Sequence, residues 1–210
     1  MCSRYRVTTD IKQIKEMFGT VPDDLLDGAD DRYDSFFPRS MVPIYAKVRG
    51  NDHFANFQWG LTPIWAKTRS TLLTNTQSED VLIKPTWSES FRRRRCLLPA
   101  TSFFEPAEVN GKKYQIEFWM KDALPFAFAG VWQKSEAFGE KQNCCSILTC
   151  KPNSLVGEVH HRMPVIIRAE HYQTYLSTPP EQAEQLLDML IPYNALEMEG
   201  NFDNSAAAKS

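Results

Sequence analysis

The chain has 210 residues and a mass of 24.1 kDa, more than one average domain and less than two, so a single large α+β or mostly-β domain is expected. Its 42% apolar and 24% charged content excludes disorder, collagen and coiled coil, and a chain of this size can bury roughly 70% of its unfolded surface without disulfide or metal staples. With 24 basic and 26 acidic residues the net charge is −2, which argues against a tail-driven polyanion binder while leaving room for a local basic groove.

The start, Met1-Cys2-Ser3-Arg4-Tyr5-Arg6, carries charge with no apolar stretch behind it, so it does not read as a secretory signal. Ile11, Ile14, Met17 and Phe18 then share one helical face behind a Thr9 or Asp10 cap, which predicts an amphipathic helix. Val21 to Arg39, rich in Asp and Pro and without periodicity, reads as a long surface loop. From Met41 the texture turns to β: Val42 to Val48, Phe54 to Leu61, Cys96 to Phe104, Tyr114 to Met120, Phe126 to Gln133 and Cys144 to Cys150 are short runs of β-branched and aromatic residues, with turn signals at Asn110-Gly111 and Gly139. Helical patterns fall at Ser78 to Ile83, Ser88 to Arg95, Glu170 to Leu176 and Pro180 to Leu190. Without a βαβ rhythm, these elements predict an α+β fold: one domain over residues 2–196, a curved, mostly antiparallel sheet or open β-barrel flanked by short helices. Residues 197–210, small and polar, are expected to form a flexible tail. The longest apolar run, Ala123 to Trp132, is too short to span a bilayer and is broken by Pro125 and Gly130, so no membrane association is expected.

The neutrality is an average. Lys84 to Lys121 carries an excess of four positive charges centred on Arg92-Arg93-Arg94-Arg95, and Val165 onward an excess of five negative ones. A solvated helix face explains the arginine run on its own terms, whereas a groove for single-stranded nucleic acid would combine it with stacking from Trp59, Trp65 or Trp87.

Five cysteines are an odd number without framework spacing and suit reduced thiols in the cytoplasm. Cys2 is distinctive. If Met1 is trimmed, Cys2 presents an amine and a thiol on adjacent carbons, and at neutral pH roughly a tenth of such an amine is unprotonated. This 1,2-aminothiol can attack an aldehyde twice, the amine giving an imine and the thiol closing a thiazolidine ring at high effective concentration. An incidental small residue at a frayed end is the competing explanation. His160, in His160-His161-Arg162-Met163-Pro164, could move a proton at neutral pH, with Arg162 on its face suited to a phosphate; on an extended chain only one of the two histidines would face a given site. Glu105 follows an apolar strand, where partial burial would raise its pKa, and Asn75 could either fix a substrate or cap the next helix. Zinc-ligand spacing, a Gly-rich nucleotide loop and a GxSxG elbow are all missing, so neither a metal nor a nucleotide cofactor is indicated.

Taken together, Cys2-Ser3-Arg4-Tyr5, Trp59-Gly60-Leu61-Thr62-Pro63-Ile64-Trp65-Ala66-Lys67, Asn75 with Glu79, Arg95-Cys96-Leu97-Leu98-Pro99 leading to Phe103-Phe104-Glu105, and His160-His161-Arg162-Met163-Pro164 resemble the SOS-response-associated peptidase (SRAP) family over almost the whole chain up to about Ile167. The resemblance implies a single α+β domain that senses abasic sites in single-stranded DNA and crosslinks to them through Cys2. It makes Cys2 the nucleophile, with Asn75 positioning it, Glu105 managing protons around the amine and leaving water, and His160 assisting ring opening. Self-processing peptidase and abasic-site lyase activities are further implications, without a cofactor, in a cytoplasmic monomer that joins the nucleoid when bound to DNA. The chain departs from the family at Ser3, Gln77 and Pro106; with Gln77 in place of an expected arginine, phosphate contacts are expected to pass to Arg4, Arg69 and Arg162, and base stacking to Trp65. The alternatives are an N-terminal-nucleophile thiol peptidase, whose nucleophile would again be Cys2, and a non-catalytic single-strand DNA-binding module, for which Cys2, His160 and Glu105 would be superfluous.

Overall fold

A computed structural model describes residues 2–8, 11–18, 35–109 and 111–202. Strand β1 (Arg4–Arg6) and helix α1 (Ile11–Phe18) precede the hairpin β2 (Met41–Val48) and β3 (Asn51–Trp59). The predicted loop at residues 21–39 lies largely outside the described residues. Next come β4 (Asn75–Gln77), α2 (Pro85–Arg93), β5 (Arg95–Ala100), β6 (Ser102–Val109), β7 (Lys112–Met120), β8 (Phe126–Ser135) and β9 (Gln142–Cys150). Two short strands, β10 (Met163–Pro164) and β11 (Ile166–Ile167), helix α3 (Tyr172–Ser177), a 3-10 segment at Pro180–Met189 and strand β12 (Met198–Gly200) complete the order.

The pairings β2–β3, β3–β9, β9–β8, β8–β5 and β5–β2 return to their starting strand, so the sheet expected to be curved or open closes into a five-stranded barrel. All are antiparallel except β3–β9. Chemistry dictates several of these elements locally. The two-residue β2–β3 turn places Arg49 and Gly50 at φ of 53° and 82°, the left-handed geometry that a tight hairpin needs. Strand β8 is buried almost throughout, whereas the second half of β7 alternates, with Ile116, Phe118 and Met120 buried and Glu117 and Trp119 between them half-buried.

Cys96 to Phe104, expected as one strand, is two, and the break at Thr101 sends β5 into the barrel and β6 into a second sheet ordered β1-β6-β7-β12. The two halves differ in their partners: β5 pairs with β2 and β8, whereas β6 pairs with β1 and β7. The expected tail also begins too early: Met198–Gly200 is a strand on β7, and Glu197 forms a two-pronged ion pair with Arg168 at 2.7 and 3.0 Å. Those contacts are long-range, so local polarity could not reveal them. No helix among the described residues is long and apolar enough to cross a membrane.

Gly130 lies where the barrel leaves no room for a side chain. A Cβ there would meet Leu98 Cδ1, lie 3.0 Å from Cys96 Sγ and 3.2 Å from the Ser146 carbonyl, all inside the core. Gly130→Val is therefore expected to lose about 3 kcal/mol or more through overpacking, read as a lowered urea midpoint at unchanged m-value.

The arginine run is structural rather than a groove. Arg92 reaches the Pro180 carbonyl, Arg93 pairs with Glu89 at 2.9 Å and Arg94 bonds Ser90. Arg95 is buried and donates to the carbonyls of Phe91, Arg92, Tyr175 and Thr178, which satisfies the ends of both α2 and α3.

Candidate active site

Four chain segments distant in sequence meet in one cluster. Cys2 lies just before β1, Asn75 opens β4, Glu105 sits on β6, and His160 precedes β10. Two packing facts hold Cys2 there. Strand β1 pairs with β6 at Arg4–Phe104, Tyr5–Phe103 and Arg6–Ser102, and the Tyr5 ring is wedged edge-on against Trp59 at 5.3 Å and Phe128 at 5.5 Å. Asn75 then donates from Nδ2 to the Cys2 carbonyl at 2.9 Å. Asn75 is thus no helix cap; the residue before the 3-10 turn Ser78–Asp80 is Gln77.

Cys2 is fully buried and its Sγ–H donates to the Arg4 carbonyl at 3.5 Å. Burial first, and then the Glu105 carboxylate, push its thiol well above the ordinary range. The other four cysteines are likewise buried and free of disulfides. Glu105 is 0% exposed, which raises its carboxyl to about 7. Its Oε2 lies 3.5 Å from His160 Nδ1. Burial in turn lowers the pKa of His160.

His160 Nδ1 has partners in either protonation state. When it lacks a proton it accepts from the Arg162 backbone N–H at 3.1 Å, and when it carries one it can donate to the Arg162 carbonyl at 3.0 Å or to Glu105. This combination of a carboxyl poised near neutrality and an imidazole with a choice of partners can relay a proton at Cys2. The two histidines do not point opposite ways as an extended chain would require. The segment bends, and the rings of His160 and His161 lie 4.4 Å apart, the second exposed.

The expected DNA-contacting residues differ in how far their side chains are already engaged. Arg162 is 8% exposed and its guanidinium is taken up by Glu79, at 2.7 and 2.8 Å, and by the Thr149 carbonyl at 2.5 Å, so the expectation that it offers a free charge to phosphate is corrected. Arg4 lies over the Phe104 ring at 4.1 Å and bonds Ser35. Because neighbouring strand residues alternate, the Phe104 face is opposite to that of Glu105. Arg69 pairs with Glu140 at 2.7 Å, covers Phe138 and uses its carbonyl to accept from Arg39. Trp65 is 62% exposed beside Ile64, on the loop after β3. The roles of Glu79 and Thr149 escape sequence reasoning because their partner is Arg162, 83 and 13 residues away, and no local pattern encodes such a pairing.

Residues 1–201 match the family described as SOS response associated peptidase (SRAP). Among curated relatives, the abasic site processing protein YoaM of Bacillus subtilis is 32% identical over 193 residues, covering 84% of each chain. The abasic site processing protein YoqW of the same species is 30% identical over 203 residues, covering 95% of this chain and 90% of that one. In fold, a Bacteroides thetaiotaomicron crystal structure aligns at a TM-score of 0.80 with 21% identity over 97% of this chain and 94% of its own. A Bordetella bronchiseptica structure aligns at 0.76 with 23% identity over 95% and 98%. A match spanning nearly the whole sequence, together with relatives this similar across most of their length, shows that the chain belongs to the SRAP family.

Proposed function

We propose that this protein, once Met1 has been removed, captures abasic sites in single-stranded DNA as a covalent thiazolidine on Cys2. The observation that carries the reading is the convergence of Cys2, Asn75, Glu105 and His160 in one buried cluster, in a family whose relatives are named for abasic site processing.

An abasic deoxyribose is mostly a closed hemiacetal. His160 and Glu105 together supply the acid and base that open it, one protonating the ring oxygen while the other takes the hydroxyl proton. The Cys2 amine then attacks the exposed aldehyde. Glu105, whose burial keeps its carboxyl protonated close to neutrality, gives its proton to the departing hydroxyl, so a protonated imine and one water form. The carboxylate left behind takes the thiol proton, which the high thiol pKa keeps in place until that moment. Sulfur closes on the carbon of the protonated imine, the C=N electron pair returns to a nitrogen that keeps its remaining proton, and the net loss is one water. The same carboxyl run backward would reopen the ring and release the strand. Asn75 fixes the Cys2 carbonyl so that the amine and thiol face one aldehyde carbon. No cofactor takes part, and a monomer suffices.

The exposed indole of Trp65 offers a face on which a base of the bound strand would stack, so Trp65→Ala should weaken single-stranded DNA binding by about 1–3 kcal/mol, measured by fluorescence anisotropy, with little loss of thermal stability. The reading as a whole is tested by mixing protein bearing a native N-terminus with oligonucleotides that are intact or carry one abasic site. An adduct that survives denaturing electrophoresis is expected only with the abasic strand. Adduct formation on intact DNA, or none on either strand, defeats the proposal.

A further inference from the structure

We propose that Glu79 is a positioning residue for the reaction: through Arg162 it sets the placement of His160 against Glu105, tying together the two segments that carry Asn75 and His160. The proposal rests on the crosslinking reading above for its kinetic consequence, although the geometry stands without it.

Glu79 lies four residues beyond Asn75, in the 3-10 turn that follows β4. Its two oxygens meet the two terminal nitrogens of Arg162 at 2.7 and 2.8 Å, the parallel two-bond geometry that a guanidinium and a carboxylate form best. Thr149 on β9 takes a third contact through its carbonyl at 2.5 Å. Three contacts on one side chain leave residue 162 little freedom. What that residue presents to the site is its backbone, with the N–H 3.1 Å and the carbonyl 3.0 Å from His160 Nδ1. A rotation of residue 162 would therefore disturb both of its backbone contacts to the imidazole at once.

The pair is also suited to act as a brace. Arg162 is buried while the Glu79 side chain is 46% exposed, so a charge entering the interior is neutralised from the rim. Arg162 holds the Glu79 carboxyl down at about 2, so the brace stays charged across the physiological range. Glu79 makes none of the contacts described for Cys2 or Glu105, and no proton transfer is asked of it.

Among the described residues, the groups facing His160 include Glu105 from β6 and His161 and Arg162 from its own segment, with Glu79 behind Arg162, and the chain's α-amine also acts to lower its pKa. Two effects of Glu79→Gln on His160 thus have opposite signs. Losing a nearby negative charge would lower the imidazole pKa further. Losing the anchor would let the ring move toward water and raise it toward its ordinary 6.5.

The test uses Glu79→Gln and Glu79→Asp in the full chain with a native N-terminus. Proton and nitrogen NMR of the free protein follows the His160 titration, and single-turnover crosslinking to an abasic oligonucleotide gives the maximal rate and the half-saturating DNA concentration. We expect Glu79→Gln to raise the His160 midpoint and to slow the maximal rate between about tenfold and about a hundredfold at unchanged half-saturation, with Glu79→Asp restoring part of both. A His160 midpoint that falls or stays put overturns the proposal. So does an unchanged maximal rate with tighter DNA half-saturation, which would make Glu79 a competitor for phosphate at Arg162. If the unmodified protein forms no adduct, the crosslinking reading fails, while the NMR titration still decides whether Glu79 positions His160.

Discussion

Replacing Cys2 by Ala is expected to eliminate the stable adduct on abasic single-stranded DNA, and replacing it by Ser to leave only a reversible one. The two variants separate the nucleophiles. Each keeps an α-amine after Met1 removal, so each can still form an imine with the opened sugar, and borohydride should trap that imine as a reduced crosslink. Neither has a sulfur to close the ring, and the ring closure is what gains from having both groups on adjacent carbons. Intramolecular reactions of this kind carry effective concentrations of about 10⁵ M or more, so adduct surviving denaturation without borohydride should fall by at least about a hundredfold. The measurement is denaturing electrophoresis with and without reductant. Undiminished adduct from Cys2→Ala without borohydride would falsify the thiazolidine chemistry. A tag fused ahead of Cys2 should abolish both products, because it removes the free amine that starts the sequence.

Glu105→Gln should make the protein more stable and less active at once. The carboxyl titrates ordinarily at 4.5 and near 7 in the folded chain. Between those values the native state holds a proton that the unfolded chain has already lost. Stability therefore decreases as pH rises from about 4.5 to about 7 and stays lower above, with a total loss that the shift puts at about 3 kcal/mol. Glutamine cannot ionise, so the variant should melt about 5–10 °C above the parent at pH 8 and match it near pH 4. Calorimetry at the two pH values is the check, and an equal gain at both would mean that charge burial is not the cause. In the same variant, adduct formation and its reversal should slow by about 10²–10⁴, the usual worth of a positioned proton donor. Together the two results would mark Glu105 as a group kept in an unfavourable setting because the chemistry uses its proton.

How much of this site was legible in advance can be argued residue by residue. Cys2 is legible because its chemistry depends on its place in the chain, which any sequence displays. Glu105 is legible as a carboxyl after the apolar Phe103-Phe104, although only the fold buries it completely. Arg162 misleads: its closeness to His160 in sequence suggests a phosphate contact, whereas its guanidinium is occupied by a carboxylate 83 residues away. The arginine run at 92–95 misleads in the same way, since Arg95 belongs to the interior.

Periodicity, turn residues and the alternation of apolar side chains by themselves determined that the chain is an α+β domain of short strands and helices, because those preferences act between near neighbours. The family motifs likewise fixed which four residues were candidates for the chemistry. Tertiary structure alone decided that the barrel closes through the parallel β3–β9 pairing, that Met198–Gly200 joins the second sheet, and that Glu79 braces Arg162. Each of those outcomes depends on groups far apart in the sequence being buried together, where an unmatched backbone edge or charge is costly, and no local pattern carries that information.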